Sequence, residues 1–334
     1  MVSANSHLPL CCRNVHVENL RLYDAAAWTT AFLDSEYIWV HGIGIKNDKR
    51  YNGDGLDFDG SAHVFIADCY VRGTDDNFCL QSSSKDYPVH DFHITNCEFS
   101  GVCAGIRIGL KSIGDIYDVT ISNCTLNRVW REGIKLECTE GGSITDISIN
   151  NIVMRDVTRP IFAVLNNRFE LDDYGTSVEL DHMPEIGTMA RISISNITAT
   201  DSEEMANVHR KFTDDVMGEP RFAGIRFDAA DGHPIEDVLI DGLRYTFIGG
   251  VKLADIPHEY PRLVDKLVEP NVKSSENYWP DWSRIAFMDL RNVHGLDLNR
   301  IRLHSLRPDE RPAELTEGCK TYAKPDIIIN GEQM

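Results

Sequence analysis

Apolar and polar residues alternate in short segments that recur along the chain and end in Asn, Asp, Gly or Arg. Alternation with a period of two predicts β-strands that bury one face. Asn, Asp and Gly tolerate left-handed backbone conformations, so the segment ends predict tight bends. The segments are NVHVEN (14–19), YIWVHG (37–42), HVFIAD (63–68), DFHITN (91–96), DVTISN (118–123), DISINN (146–151), RISISN (191–196), DVLIDG (237–242) and GLDLNR (295–300).

The spacing of these segments predicts the fold. The first six end at residues 19, 42, 68, 96, 123 and 151, which are 23 to 28 residues apart. Self-similarity at this period indicates a solenoid in which each repeat stacks on the next. We therefore predict an all-β fold, a right-handed parallel β-helix of about nine or ten coils, with residues 1–334 as a single domain. A β-sandwich is the alternative, but it does not explain why the segments return in the same phase.

Longer spacings later in the chain predict insertions near 165–190, 200–225 and 250–285. Loops on one side of a solenoid usually build its binding face. Aromatic residues in these loops would either stack on sugar rings or pack the loops down. They are Phe169, Tyr260, Tyr278, Trp279 and Trp282.

Composition narrows the partners and the cellular location. A net charge of −19 argues against nucleic acid, whose phosphates require a basic surface. Neither a long apolar run nor a signal peptide is recognised in the sequence, which predicts no membrane span.

No CxxC pair occurs, and Cys69, Cys97 and Cys124 follow Asp or Asn at one place in the repeat, which predicts stacked free thiols. Free thiols favour a cytoplasmic location, whereas a trimmed N-terminus would leave a secreted or periplasmic one open.

Stacking of coils predicts that acidic residues one repeat apart meet. Asp54 precedes Asp75 and Asp76 by about one coil, and neighbouring parallel strands lie about 4.8 Å apart. Three carboxylates this close cannot all ionise at low cost, so a neutral acid would stand beside ionised partners. Glycoside hydrolysis uses that arrangement, whereas calcium binding and a solvated acidic face are the alternatives. Asp57 and Asp59 are predicted to lie at strand edges or turns, outside this group.

The residues around these acids resemble a known family. NGDGLDFDGSAHVFIADC (52–69), followed by GTDDNFCLQSS (73–83), is similar to the NTDGID…GDDCIAIKSG signature of glycoside hydrolase family 28, the polygalacturonase group. The resemblance covers most of the chain. It implies a right-handed parallel β-helix that hydrolyses an oligo- or polysaccharide with inversion. We predict neither a cofactor nor a metal. By motif, Asp75 is the general acid, while Asp54 and Asp76 position and deprotonate water.

The sequence departs from the family pattern at several basic positions. Ala104 stands where the histidine of the GHG motif belongs, and Gln81 replaces the lysine of IKSG. The RIK motif aligns with IKLE, so that Lys135 replaces its arginine and Glu137 its lysine. This loss of positive charge disfavours galacturonan, because a uronate is best held by Arg or Lys. It favours a neutral or differently linked sugar, such as a rhamnosyl or galactosyl unit. The predicted substrate-binding residues are Asn52, Gln81, Arg107, Lys135 and Glu137.

Two functional hypotheses follow. The first is an inverting glycosidase that acts on a pectin-like or other plant-derived glycan, with the insertions at 165–190 and 250–285 favouring exo action. The second is a carbohydrate-binding or structural β-helix without catalysis, and a β-helix lyase is disfavoured because basic residues are few. The family match starts almost at the first residue, so earlier coils or a cap are expected to be missing. Residues 1–12 would then cap the first coil, or that end would associate with a second copy of the chain.

Overall fold

A computed structural model of the chain describes residues 10–49, 52–101, 103–129, 131–157, 159–167, 184–202, 224–255 and 287–333. Within these ranges the only helical segment is a 3-10 turn at Leu253–Asp255, and none of the described helices is long and apolar enough to cross a membrane. The remaining regular structure is β-strand. The strands are β1 (Arg13–Glu18), β2 (Arg21–Tyr23), β3 (Thr30–Leu33), β4 (Glu36–His41), β5 (Gly44–Asn47), β6 (Leu56–Asp59), β7 (Ala62–Ala67), β8 (Tyr70–Gly73), β9 (Phe78–Ser82), β10 (Val89–Thr95), β11 (Glu98–Gly101), β12 (Ile106–Ser112), β13 (Ile116–Val129), β14 (Glu132–Cys138), β15 (Ser143–Arg155), β16 (Arg159–Leu165), β17 (Thr188–Thr200), β18 (Ile225–Ala229), β19 (Ile235–Gly249), β20 (Met288–Arg291), β21 (Val293–Asn299), β22 (Ile301–Arg307), β23 (Glu314–Glu317), β24 (Lys320–Thr321), β25 (Ile327–Ile329) and β26 (Glu332–Gln333).

The strands form two sheets that share one solenoid axis. A nine-stranded parallel sheet runs in the order β3-β6-β9-β12-β14-β16-β18-β20-β23, one strand from each coil. The other strands form a seventeen-stranded sheet, parallel except for the pairing of β25 with β26. Apart from β26, the strands pair with the equivalent strand one coil away, as in the register of Val64 with Phe92 and of Phe92 with Val119. Parallel pairing between coils rules out the β-sandwich alternative.

Apolar residues at alternate strand positions stack into ladders that fill the interior. Val64, Phe92, Val119 and Ile147 lie in register on successive coils, and each is at most 1% exposed. Burying side chains of this size stabilises the fold by about 1.5–3 kcal/mol each. The alternation seen in the sequence is therefore the signature of this continuous core.

Asparagines turn the chain within each coil, between β10 and β11 and at the equivalent places inside β13, β15 and β17, as the segment ends predict. Asn96, Asn123, Asn151 and Asn196 all have left-handed backbones, with φ between 52° and 56°. An L-residue other than Asn, Asp or Gly adopts this conformation at a higher cost. The predicted thiol stack is also present, because the free thiols of Cys69, Cys97 and Cys124 are buried next to these corners.

The outward sides of the two sheets differ in their exposure to solvent. We call the outward side of the nine-stranded sheet the site face, where Arg107 is 7% exposed and Lys135 is fully buried. We call the outward side of the seventeen-stranded sheet the open face, where the side chains of Arg191 and Arg300 are more than half exposed. Charged residues on the site face must therefore find partners within the protein.

Candidate active site

The three predicted acids lie where two neighbouring coils enter the nine-stranded sheet. The Gly55 N–H donates to the carbonyl oxygen of Asp76 at 2.9 Å. This bond places Asp54 next to the Asp75–Asp76 pair, as their one-coil spacing predicts. A β-carbon on Gly55 would overlap the Asn77 carbonyl oxygen, so only glycine lets the two bends close on each other.

Asp76 is an ionised, tightly held carboxylate. Burial by itself would raise its pKa, but the positive charges of Arg107 and Lys135 and hydrogen bonds from Arg107 and Cys103 lower the pKa to about 2. Arg107 Nη1 donates to Oδ2, and the Ala104 N–H donates to Oδ1 at 2.9 Å. At neutral pH, Asp76 therefore carries its negative charge in a fixed orientation.

Asp54 and Asp75 hold their protons more strongly than a solvated aspartate. Burial raises the pKa of Asp54 well above its usual value, and the nearby charges of Asp57, Asp75 and Asp76 raise it further. The pKa of Asp75 is raised by burial and by the charge of Asp76. Among the three predicted acids, Asp75 is the one that keeps partial contact with solvent.

Asp57 belongs to the acid group, so the prediction that it lies outside was wrong. It follows Leu56 in β6 and faces outward in register with Cys79, one coil away. Its side chain is buried, and neither carboxylate oxygen accepts a hydrogen bond within the described part of the chain. Burial, followed by the charge of Asp76, raises the pKa of Asp57 well above its usual value. The alternation of Leu56, Asp57 and Phe58 carried this signal, because it places Asp57 on the outward side of the strand.

Three predicted substrate-binding residues form a buried charge network with Asp76. Arg107 Nε lies 3.4 Å from Glu137 Oε2, and Lys135 Nζ lies 3.1 Å from Glu137 Oε1. Lys135 also lies 3.8 Å from Glu132, which binds Arg159 at 3.2 Å. Burial raises the pKa of Glu137 although both cations act to lower it. Lys135 and Glu137 are fully buried and do not face solvent. Lys135 pairs with Glu137, Glu137 with Arg107, and Arg107 with Asp76.

The other predicted binding residues lie at the edges of the acid group. Asn52 is exposed in a left-handed turn with φ of 52°, two residues before Asp54. The Gln81 side chain is buried and donates from Nε2 to Cys79 Sγ at 3.2 Å. Asp59, by contrast, accepts hydrogen bonds from Ser83 at 2.8 and 2.6 Å, which agrees with its predicted structural place outside the group. The substrate-binding roles stay predictions.

Cys103 is a site residue that sequence reasoning missed. One carboxylate oxygen each of Asp75 and Asp76 and the Cys103 sulfur all lie within 4.8 Å of one another. Arg131 Nη1 also contacts the sulfur at 3.4 Å. Burial and the charges of Asp76 and Asp75 raise the pKa of the Cys103 thiol well above its usual value. A thiol that keeps its proton is a poor metal ligand, so this trio fits hydrogen bonding better than metal binding.

The predicted insertions fall mainly on residues 168–183, 203–223 and 256–286, which lie outside the described residues. So do the five aromatic residues that were considered as sugar platforms there.

Comparisons with known proteins identify the family of this chain. The profile of the family described as "Glycosyl hydrolases family 28" matches residues 9–211, more than half of the chain. A polygalacturonase of Cochliobolus carbonum is 22% identical over 159 residues, which is 46% of this chain and 41% of the relative. An endo-polygalacturonase of Pectobacterium parmentieri is 25% identical over 152 residues, 45% of this chain and 37% of the relative. The chain thus spans less than half the length of these curated relatives.

Solved structures show the fold. A family 28 exopolygalacturonase of Yersinia enterocolitica superposes with a TM-score of 0.60 and 13% identity, covering 95% of this chain and 46% of that one. A hyperthermoactive exopolygalacturonase of Thermotoga maritima gives a TM-score of 0.53 and 17% identity, covering 71% and 48%. The predicted right-handed parallel β-helix is confirmed.

Proposed function

Because the chain belongs to glycosyl hydrolases family 28, we propose that it is an inverting glycoside hydrolase that acts on a pectin-like or other plant-derived glycan. One observation carries the proposal. The carboxyl groups of Asp54, Asp75 and Asp76 share one site, where the pKa values of Asp54 and Asp75 are raised and that of Asp76 is lowered. An inverting glycosidase needs a protonated carboxylic acid for the leaving oxygen and a carboxylate that activates water.

The pKa shifts separate Asp76 from the other two acids, and contact with solvent separates Asp75 from Asp54. Asp75 has a raised pKa and keeps partial solvent contact, which suits the general acid that protonates the glycosidic oxygen. Asp76 stays ionised beside Arg107 and would orient the attacking water. Asp54 is the stronger base once it ionises, because its pKa is raised, and it would accept the proton of that water. Attack from the face opposite the leaving group inverts the anomeric configuration.

A neutral sugar at the cleavage site fits the charge network better than a uronate. Arg107 is held by Asp76 and Glu137, and Lys135 is held by Glu137. A uronate carboxylate would have to compete with these buried anions for the same cations. We therefore expect faster hydrolysis of rhamnose- or galactose-containing pectin fragments than of homogalacturonan. Faster hydrolysis of homogalacturonan would contradict this expectation.

Exo action remains part of the proposal. It rests on the insertions at 165–190 and 250–285, most of whose residues the structure does not describe. Release of a single small product from the start of the reaction is the expected result. A ladder of intermediate sizes would indicate endo action instead.

The central test is Asp75→Asn on the full chain. Asn keeps the size of the side chain but cannot donate a carboxylic proton, so turnover should fall by about 10²–10⁴-fold. Asp118→Asn is the matched control, because Asp118 is exposed on the open face and its left-handed backbone, φ 54°, suits Asn. The anomeric configuration of the first product, read by proton NMR, tests inversion.

Two results would overturn the proposal. Retention of the anomeric configuration would exclude the inverting mechanism. Absence of hydrolysis by the wild-type protein across a broad panel of plant glycans would leave the second candidate, a carbohydrate-binding β-helix without catalysis. Ala104 favours that candidate, because an alanine provides only its backbone N–H to Asp76 where the family pattern has a histidine. The non-catalytic candidate predicts that the protein binds sugar and that Asp75→Asn leaves this binding intact.

A further inference from the structure

Two histidines and an aspartate converge on the open face, away from the acid group. His63 lies in β7, while His90 and Asp91 lie in β10, the equivalent strand of the next coil. His63 Nδ1 lies 3.1 Å from Asp91 Oδ2, and His90 Nδ1 lies 2.8 Å from the same oxygen. One nitrogen of each histidine and an Asp91 oxygen all lie within 4.8 Å of one another.

These separations are close to those around a bound divalent cation. A tetrahedral zinc ion with ligands at 2.0–2.1 Å keeps its donor atoms about 3.3 Å apart. A small outward shift of the two rings would bring each histidine nitrogen to that distance from the Asp91 oxygen. Imidazole and carboxylate are also the ligand types that borderline divalent metals prefer.

Neighbouring aromatic rings hold the two imidazoles in place. His63 stacks on Tyr37 with ring centres 4.6 Å apart, and His90 stacks on Tyr117 at 5.1 Å with an angle of only 10° between the planes. The two histidine rings stand nearly perpendicular to each other, at 87°. Rings that are already oriented lose less entropy when a cation binds.

The surroundings are negatively charged and accessible. The side chains of His63, His90 and Asp91 are 34%, 22% and 43% exposed, so an ion can enter from solvent. Asp118 lies beside Asp91 on the next coil, because His90 pairs with Tyr117 and Phe92 with Val119, and its exposed carboxyl group adds negative charge that favours a cation.

We propose that His63, His90 and Asp91 form a binding site for a divalent cation of the zinc class, with water completing the coordination. The ion joins two successive coils through β7 and β10. It lies on the opposite sheet from the acids, so it is a structural ion and takes no part in hydrolysis. The competing interpretation is an ordinary ion-pair cluster in which protonated histidines bind Asp91 and metal is not taken up.

Zinc titration by calorimetry tests the site. The full chain should carry Cys11→Ser and Cys12→Ser, because these exposed thiols would bind zinc themselves. His63→Asn and Asp91→Asn suit the left-handed backbones at these positions, φ 56° and 55°. Each should weaken zinc binding by more than about tenfold. Added zinc should also raise the melting temperature of the parent protein but not that of the variants.

The control is His41→Asn, which removes a histidine from a His–Asp pair that has no second histidine in its cluster among the described residues. His41 Nε2 lies 2.9 Å from Asp68 Oδ2 on the same face. This variant should bind zinc as the parent does. A cobalt-loaded sample should show ligand-field bands without a thiolate charge-transfer band, which separates the site from the Asp75–Asp76–Cys103 trio. Absence of zinc binding, or binding that survives His63→Asn and Asp91→Asn, would overturn the proposal.

Discussion

The two faces of the β-helix hold similar ion pairs in different surroundings. On the site face, Arg107 binds Asp76 and Glu137 with almost no surface left to water. On the open face, Arg300 donates to both carboxylate oxygens of Asp241 at 2.7 and 2.6 Å, yet its side chain is 60% exposed. The pairing is alike, and the exposure to solvent is what differs.

Burial determines how much such a pair matters. Water and salt screen an exposed pair, and the lost side-chain entropy cancels much of its attraction. In a buried pair, removing one partner leaves a charge that the interior cannot solvate. The site face can therefore hold carboxyl groups with widely separated pKa values, as a hydrolase requires. On the open face, hydrogen bonds from arginine side chains lower the pKa values of Asp146 and Asp241.

The largest effect on stability is expected from Arg107→Ala. The change leaves Asp76 buried without its main counter-charge, which should destabilise the protein by about 3–5 kcal/mol at neutral pH. Chemical or thermal unfolding measures this loss. The pKa of Asp76 in the folded protein is about 2, below its usual 3.8. The difference in unfolding free energy between the wild type and Arg107→Ala should therefore be fully present above pH 3.8. It should shrink as the pH falls toward 2. A difference that stays constant over this range would show that Arg107 acts by packing alone.

The next largest effect on stability is expected from Lys135 and Glu137, and it distinguishes the loss of a partner charge from the loss of buried side-chain volume. Lys135→Met and Glu137→Met should each destabilise the protein by about 3–5 kcal/mol, because each leaves a buried partner charge. The double variant should lose much less than the sum, since two apolar side chains of similar volume need no counter-charge. A double-mutant cycle of unfolding free energies measures the coupling. Additive losses would mean that the two residues do not depend on each other.

Asp201 is intermediate in exposure between the buried charges of the site face and the exposed pairs of the open face. We expect its substitution to have an intermediate effect on stability. It is half-buried, and burial together with the charge of Asp156 raises its pKa to about 7. The folded state then binds a proton more tightly than the unfolded state, so the wild type loses stability as the pH rises from about 4 to 7. Asp201→Asn should avoid this loss and melt a few degrees higher above pH 7, with little difference near pH 4. Equal melting temperatures at every pH would contradict the raised pKa.

The smallest effect is expected from Arg300→Ala on the open face. Its pair with Asp241 is exposed, so the melting temperature should change within the error of the measurement, and any change should vanish at high salt. This variant is also the control for Arg107→Ala. A loss as large as that of Arg107→Ala would remove the distinction between the two faces.

The sequence alone determined the fold and the meeting of the three acids. A repeat of 23 to 28 residues with strict alternation can bury its apolar residues only by stacking coils, and that stacking brings Asp54 beside Asp75 and Asp76. Both signals are local and periodic. The repeat and the spacing of the acids can both be recognised without knowing how the rest of the chain folds.

Only the tertiary structure decided which charged side chains are buried and which groups meet across coils. It placed Asp57 within the acid group, enclosed Lys135 and Glu137, and brought His63 to Asp91. Motif and alternation point to Asp57, Lys135 and Glu137 along the chain, but such a pattern gives the direction of a side chain and not what covers it. Exposure to solvent depends on distant parts of the chain, and exposure sets the pKa values and energies on which chemistry depends.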